Sequence, residues 1–432
     1  MEVNIFRLDS ISPKEKERLI KRAEIDITDK MELAKSVSED IKLNGDSALL
    51  KYTEKFDGVK LTPDRIKVKK EEIEEGYKRL SPKTREALEY AAKNIKAFHE
   101  KQKPKPVWFT YTDSGLMVGE KTTPLDDVCL YVPRGKGSFP SVLLMLGIPA
   151  KVAGVERIVV VTPPNEAGEV DDAILAAAKI IGIDEIYKAG GIQAVAAVAF
   201  GTETIPKCHK IIGPGNAYAT AAKRYLANYI DSSLPAGPSE CIILADEYQD
   251  PKKVALDWMI EAEHGPDSAA LLVTHSEELA RAAIEIVKEN IKKISQRRRE
   301  FVQTNFKTYG GVVLTKNLEE SIDFVNEYAP EHMEIMTKNP FEVLEKIKNA
   351  GEILLGDYTP VTLCNFLLGP NAILPTGGFA KTYSSVSVLD FVKRSSVGYA
   401  TREGFLKVKD YAKEIADVEG FDTHALAVSD RE

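Results

Sequence analysis

The stretch DWMIEAEHGPD, residues 257–267, sets Glu261 and His264 three residues apart just before a Gly-Pro stop. Asp250-Pro251 supplies a cap and a first-turn proline, and Val254, Trp258 and Met259 form an apolar face, so the spacing predicts a helix with Glu261 and His264 as neighbours on one side of its last turn. Glu-x-x-His is a spacing that metal sites use. It is also the spacing of an imidazole drawn to a helix C-terminus by the dipole and paired with a nearby acid. A metal at this edge needs further ligands from elsewhere in the chain.

Six histidines are available. His99 in a Lys-rich amphipathic stretch, His209 between Lys207 and Lys210, and His275 ahead of Ser276-Glu277 are expected at the surface or at caps. Glu331-His332, in YAPEHMEIM, places a carboxylate beside an imidazole after a proline and at the start of an apolar run. Such a pair can share proton transfer, because His titrates near neutrality and a partly desolvated Glu can be raised toward it; a surface ion pair is the other reading. His424 stands on the tail VEGFDTHALAV after Glu419-Gly420, with nothing local to explain it. IIGPGNAYATAAKR (211–224) follows an apolar run and opens a helix, so its amide groups can meet an anion, although the third glycine of GxGxxG is missing. Tyr131, ending VCLYVP, and Gln193, after Gly190-Gly191, occupy equivalent strand ends, either beside a nucleotide or as a packed ring and a helix cap.

The elements that must hold these residues are legible as periodicity. Ser12-Pro13 with Glu15, a capping box, and Ser81-Pro82 each start a helix. From Val128 onward, short apolar runs alternate with helix-length amphipathic stretches: VCLYVP, RIVVVTPP, EIYKAGG, KIIGPGN, ECIILAD, SAALLVTH, GGVVLT and GEILLGD. Runs this short and rich in Ile and Val predict α/β layers on two parallel sheets, with ligands at the strand ends. After about residue 386 the pattern is helical with no strand run, which predicts an arm. With 432 residues, 44% of them hydrophobic, the chain can bury more than one core. The net charge of −8 comes from interspersed acids and bases, which speaks against nucleic acid as a partner. Cys129, Cys208, Cys241 and Cys364 lack CxxC spacing and sit in or beside apolar runs, the pattern of small buried hydrophobes in a reducing compartment. MEVNIFRLDS is no signal pattern, and no apolar stretch approaches the roughly 20 residues of a membrane span. A cytoplasmic protein is expected.

Taken together, LYVPRGKGSFPS, GGIQAVAAVAFGTETIPK, IGPGNAYATAAKR, PAGPSE, AEHGPDS, YAPEHMEIM and GPNAILPTGG occur in an order and spacing that resembles histidinol dehydrogenase, from about residue 25 to His424. The resemblance implies an intertwined homodimer with two Rossmann-like, doubly wound domains per subunit. The parts would be an N-terminal helical segment (1–24), a first domain (25–127 with 240–385), a second that contacts NAD (128–239), and a C-terminal dimerisation arm (386–432). It further implies a two-step, NAD-dependent oxidation of L-histidinol through the aldehyde to L-histidine, with substrate held on a zinc ion, or manganese in its place. Carried over by position, Tyr131, Gln193 and Asn216 match NAD contacts, Ser239 a substrate contact, and Glu331 and His332 the acid/base pair. Glu419 and His424 match tail residues that complete the partner's site.

Some positions depart from the family. Glu261 stands where the metal site has Gln, and Asn365, in CNFLLGPN, where it has Asp in GDY. One amide and one carboxylate remain with two imidazoles, so Glu261, His264, Asn365 and His424 are still a plausible zinc set. Ala372 in GPNAILPT replaces a substrate-contacting His, and Arg134 follows LYVP where glycine is usual. Two further readings stay open: a paralogue oxidising another small polar alcohol, as sulfopropanediol dehydrogenases do, and a nucleotide-binding protein without catalysis.

Overall fold

The computed structural model describes residues 1–22, 27–134 and 137–431. The expected boundary between residues 24 and 25, and Gly135-Lys136 of the LYVPRGKG motif, lie outside them. All eight apolar runs are strands, and they fall into two parallel sheets.

The first sheet has six strands, in the spatial order Ile5–Arg7, Gly311–Leu314, Ala269–Thr274, Glu240–Ala245, His332–Met336 and Glu352–Leu355. All its pairings are parallel. The second has five, in the order Glu185–Lys188, Arg157–Thr162, Asp127–Tyr131, Lys210–Ile212 and Asp231–Ser232, again all parallel. Leaving aside Ile5–Arg7, both sheets run outward in one direction for three strands and then cross to the other side of the first, creating a switch point. Both faces of each sheet are covered. Val128, Leu130 and Val160 face one core while Cys129, Tyr131 and Val159 face another; Ile243 and Ala245 divide from Ile242 and Leu244 in the same way. Burial on both sides is why these strands read as continuous apolar runs.

Three expectations are corrected. The N-terminal segment is helical over Pro13–Lys21, capped by Ser12, but it also adds the edge strand Ile5–Arg7. The helices of the following segment, Thr28–Asp57, Lys70–Arg79 and Pro82–Gln102, put their apolar faces on the five-stranded sheet rather than on the six-stranded one with which 25–127 was grouped. The C-terminal piece carries a strand, Val392–Ala400, before its helices Arg402–Glu419 and Asp422–Ser429. That strand pairs antiparallel with Leu116–Pro124, which in turn pairs with Val107–Asp113. Val107–Asp113 is exposed along its whole length, including Trp108, Phe109 and Tyr111.

Candidate active site

The helix predicted from Asp250-Pro251 spans Pro251–Ala262, with Asp250 accepting from the Lys252 amide. Trp258 anchors it: its ring packs on Phe306 and its Nε1 donates to the Ala270 carbonyl at 3.0 Å. The last turn therefore lies at the amino ends of the six strands, facing the start of His332–Met336. His332 Nε2 lies 4.0 Å from Glu261 Oε1 and 3.8 Å from Glu331 Oε1. Glu331 accepts from the Glu240 amide at 2.8 Å, and His332 Nδ1 bonds the carboxylate of Glu352 on the neighbouring strand. Ser239 precedes Glu240, and the PAGPSE and LPTGG loops are tied together there: Gly237 N donates to Thr376 Oγ1 and Gly377 N to Glu240 Oε1, each at 2.6 Å. This cluster sits at the amino edge of its sheet, not at the carboxyl ends where open α/β sheets usually bind ligands. The helix that returns from the first strand carries Glu261 there.

Three carboxylates, Glu261, Glu331 and Glu352, thus surround one buried imidazole. Burial disfavours a charged imidazole, but Glu352, Glu331 and Glu261 together outweigh it and raise His332 to about 10. Burial, with Glu261 and Glu240 adding repulsion, pushes the Glu331 carboxyl well above the carboxylate range against the pull of His332. Glu261 is 1% exposed, and among the described residues neither of its buried oxygens has a hydrogen-bond donor. His264 Nδ1 is 3.2 Å from Glu261 Oε2, but the geometry is that of an ion pair, and the half-exposed ring bonds the Ile260 carbonyl. A buried carboxylate with neither oxygen bonded suits a cation, so the residues present fit a divalent metal.

The single chain does not complete such a site. Among the described residues no group of three or more His, Cys, Asp or Glu side chains is arranged to hold a metal. Asn365 lies in the widened turn Cys364–Leu368, whose approach is fixed by the Val361 amide donating to Glu334. Glu419 and His424 are exposed on the arm, where His424 stacks near Phe421, and among the described residues no hydrogen bond or ion pair joins them to the cluster. Ala372 packs against the core beneath the five-stranded sheet.

Tyr131, Gln193 and Asn216 gather elsewhere, at the carboxyl ends of the five-stranded sheet and beside its switch point. Tyr131 Oη accepts from the Gly191 amide at 3.0 Å, and Asn216 caps the helix Ala217–Tyr225 by accepting from Tyr218 and Ala219. Gly213 has a φ of 134°, and a Cβ there would lie 2.2 Å from the Tyr131 carbonyl oxygen, so the glycine turn rests directly on that strand end. Gln193 donates to Asp57 at 3.0 Å, while its own Oε1 is buried without a hydrogen-bond partner among the described residues. Two helix N-termini, of Gly191–Phe200 and Ala217–Tyr225, open here, and such ends suit a pyrophosphate. Arg134 is paired with Asp171 at 3.4 Å.

Of the other histidines, His209 and His275 pair with Asp127 and Glu247, as expected of surface or cap positions. His99 does not follow that expectation: it is fully buried between Gln102 and Asn371. Glu240, Glu352 and Asp57 were not singled out in the sequence. Glu240 and Glu352 stand at the starts of predicted strand runs and Asp57 ends the helix Thr28–Asp57, but only the packing brings these carboxylates to their sites.

These observations agree with comparison to known proteins. The family model for histidinol dehydrogenase matches residues 20–432. The histidinol dehydrogenase of Synechocystis sp. is 48% identical over 428 residues, 99% of each chain. A histidinol dehydrogenase homolog from Colwellia psychrerythraea is 46% identical over 99% of this chain and 96% of its own. The crystal structure of histidinol dehydrogenase from Elizabethkingia anophelis superposes with a TM-score of 0.94 at 36% identity, covering 99% of this chain and 97% of that one. With the Glu-His pair, the strand-end motifs and the whole length of the chain in agreement, this protein belongs to the histidinol dehydrogenase family of oxidoreductases.

Proposed function

We propose that this chain oxidises L-histidinol through histidinal to L-histidine with NAD as hydride acceptor, as a cytoplasmic homodimer that requires Zn²⁺ or Mn²⁺. The observation that carries the proposal is the buried arrangement of Glu331 and His332 beside the carboxylate of Glu261, which accepts no hydrogen bond among the described residues. Glu261 and His264, with Asn365 and with His424 from the second subunit, would hold the metal. When bound, such a cation supplies positive charge that offsets the carboxylates and Lewis acidity that lowers the pKa of a substrate hydroxyl. With a cation offsetting the carboxylates that otherwise hold it protonated, His332 would take a proton as each hydride leaves for NAD. Glu331 takes a proton from the water that adds to the aldehyde, and burial raises its pKa, which makes it a stronger base than an exposed carboxylate. Ser239 and Glu419 bind substrate, and Ala372 leaves room where a larger side chain would contact it. Tyr131, Gln193 and Asn216 hold NAD.

The exposed apolar surface supports the dimer. Trp108, Phe109 and Tyr111 on the small sheet and Tyr411, Ile415, Val418 and Phe421 on the arm are at least 43% exposed. That much uncovered apolar surface marks an interface, and a second copy of the chain covers it while carrying Glu419 and His424 into the neighbouring site.

The test is NADH formation with L-histidinol, with added Zn²⁺ or Mn²⁺ and again after chelation. Metal-dependent turnover is expected. Folded protein that binds zinc and NAD but leaves histidinol untouched would overturn the substrate and direct a screen toward other small polar alcohols.

A further inference from the structure

We propose that Glu352 is a positioning residue that fixes the orientation and tautomer of His332, with the thiol of Cys364 holding the carboxylate's other oxygen. The inference rests on His332 being the proton acceptor. Glu352 and His332 are register partners on adjacent parallel strands. The rungs Gly351 N to Pro330 O at 2.9 Å and Glu352 N to Glu331 O at 3.0 Å hold the two backbones together. One Glu352 oxygen meets His332 Nδ1, and the other accepts from Cys364 Sγ. Both Glu352 and Cys364 are buried, and among the described residues His332 is the only cationic partner Glu352 has. A buried carboxylate of this kind contributes little to stability that an apolar residue would not. What it does determine is geometry: with Nδ1–H held by Glu352, Nε2 is the ring nitrogen left to exchange a proton, and it points between Glu331 and Glu261, where the reacting hydroxyl would lie. Cys364 thereby acquires a role beyond filling space, as donor to the carboxylate that aims the imidazole.

The experiment compares wild-type holoenzyme with Glu352→Ala and with the isosteric Glu352→Gln, in case the alanine variant fails to fold. Histidinol turnover and the low-field imidazole N–H proton of His332 are both measured, the latter assigned with His332→Gln. In Glu352→Ala, kcat should fall about 10–100-fold with KM for histidinol nearly unchanged, and formate should restore part of the rate. The low-field proton, present in wild type, should be lost; in Glu352→Gln it should move upfield as kcat falls. Wild-type kcat in either folded variant, or a low-field proton that persists unchanged, overturns the assignment. If wild-type protein proves inactive on histidinol, the substrate reading fails, while the proton resonance still decides whether Glu352 holds His332.

Discussion

Replacing Glu261 by Gln isolates the charge of the buried carboxylate from its shape. In metal-free protein two terms oppose each other. Removing the charge relieves a desolvation penalty of several kcal/mol, because the group is buried with neither oxygen hydrogen-bonded. It also removes attraction to His332 at 4.0 Å, which at an effective dielectric constant near 20 is about 4 kcal/mol. These are similar in size, so the metal-free variant should unfold within about 1 kcal/mol of wild type. Added metal separates the two proteins. At a free concentration 100 times its Kd, the ion stabilises wild type by about 2.7 kcal/mol. With about 2.1 cal/mol/K of unfolding entropy per residue over 432 residues, that raises Tm by roughly 3 °C. If loss of the charged ligand weakens binding 100-fold, the same concentration stabilises the variant by only about 0.4 kcal/mol. The assay is scanning calorimetry in chelator and then with titrated Zn²⁺ and Mn²⁺. Equal metal-induced shifts in both proteins, or none in wild type, would refute Glu261 as a ligand.

Further outcomes follow from the same geometry. Glu331→Gln should keep the fold and lower oxidation of added histidinal about 10²–10⁴-fold; unchanged turnover removes Glu331 as the base. His424→Ala and Glu331→Gln should each be inactive as homodimers, while co-expressed mixtures recover turnover, since one kind of mixed site is intact; no recovery argues against arm exchange. Gly213→Ala should cost about 1–3 kcal/mol in thermal stability and weaken NAD binding, because its Cβ meets the Tyr131 carbonyl at a φ of 134°; a neutral substitution would mean the turn does not rest on that strand. Burial raises the Asp257 carboxyl to about 6. The folded state therefore keeps a proton that the unfolded chain releases from about pH 4, and stability falls as pH rises between those values. Asp257→Asn should accordingly gain about 1–3 kcal/mol over wild type at pH 8 and nothing at pH 4; a gain independent of pH would sink this account.

Where periodicity reports the whole environment of a segment, the sequence was sufficient. A strand buried on both faces must be apolar at nearly every position, and that is why the eight runs from VCLYVP to GEILLGD could be read directly. The capped helices at Ser12 and Ser81 were equally local, as were Glu261 beside His264 and Glu331 beside His332. The resemblance supplied Tyr131, Gln193 and Asn216, and the structure places them together at one sheet end.

Tertiary structure alone decided what depends on partners distant in the chain. Val392–Ala400 is a strand because Leu116–Pro124, paired with it from 268 to 284 positions earlier, offers it a ladder; its own residues show no apolar run. His99 is buried because Asn371 approaches it, and nothing near His99 in sequence signals that contact. Glu352 meets His332 only through the register of two parallel strands, and a shift of one residue would turn it to the opposite face. The sequence by itself determined which residues can do chemistry and which segments bury them. Which carboxylates converge on the single imidazole, and at which edge of the sheet, was settled by packing, because electrostatic contact depends on distance in space and not on spacing along the chain.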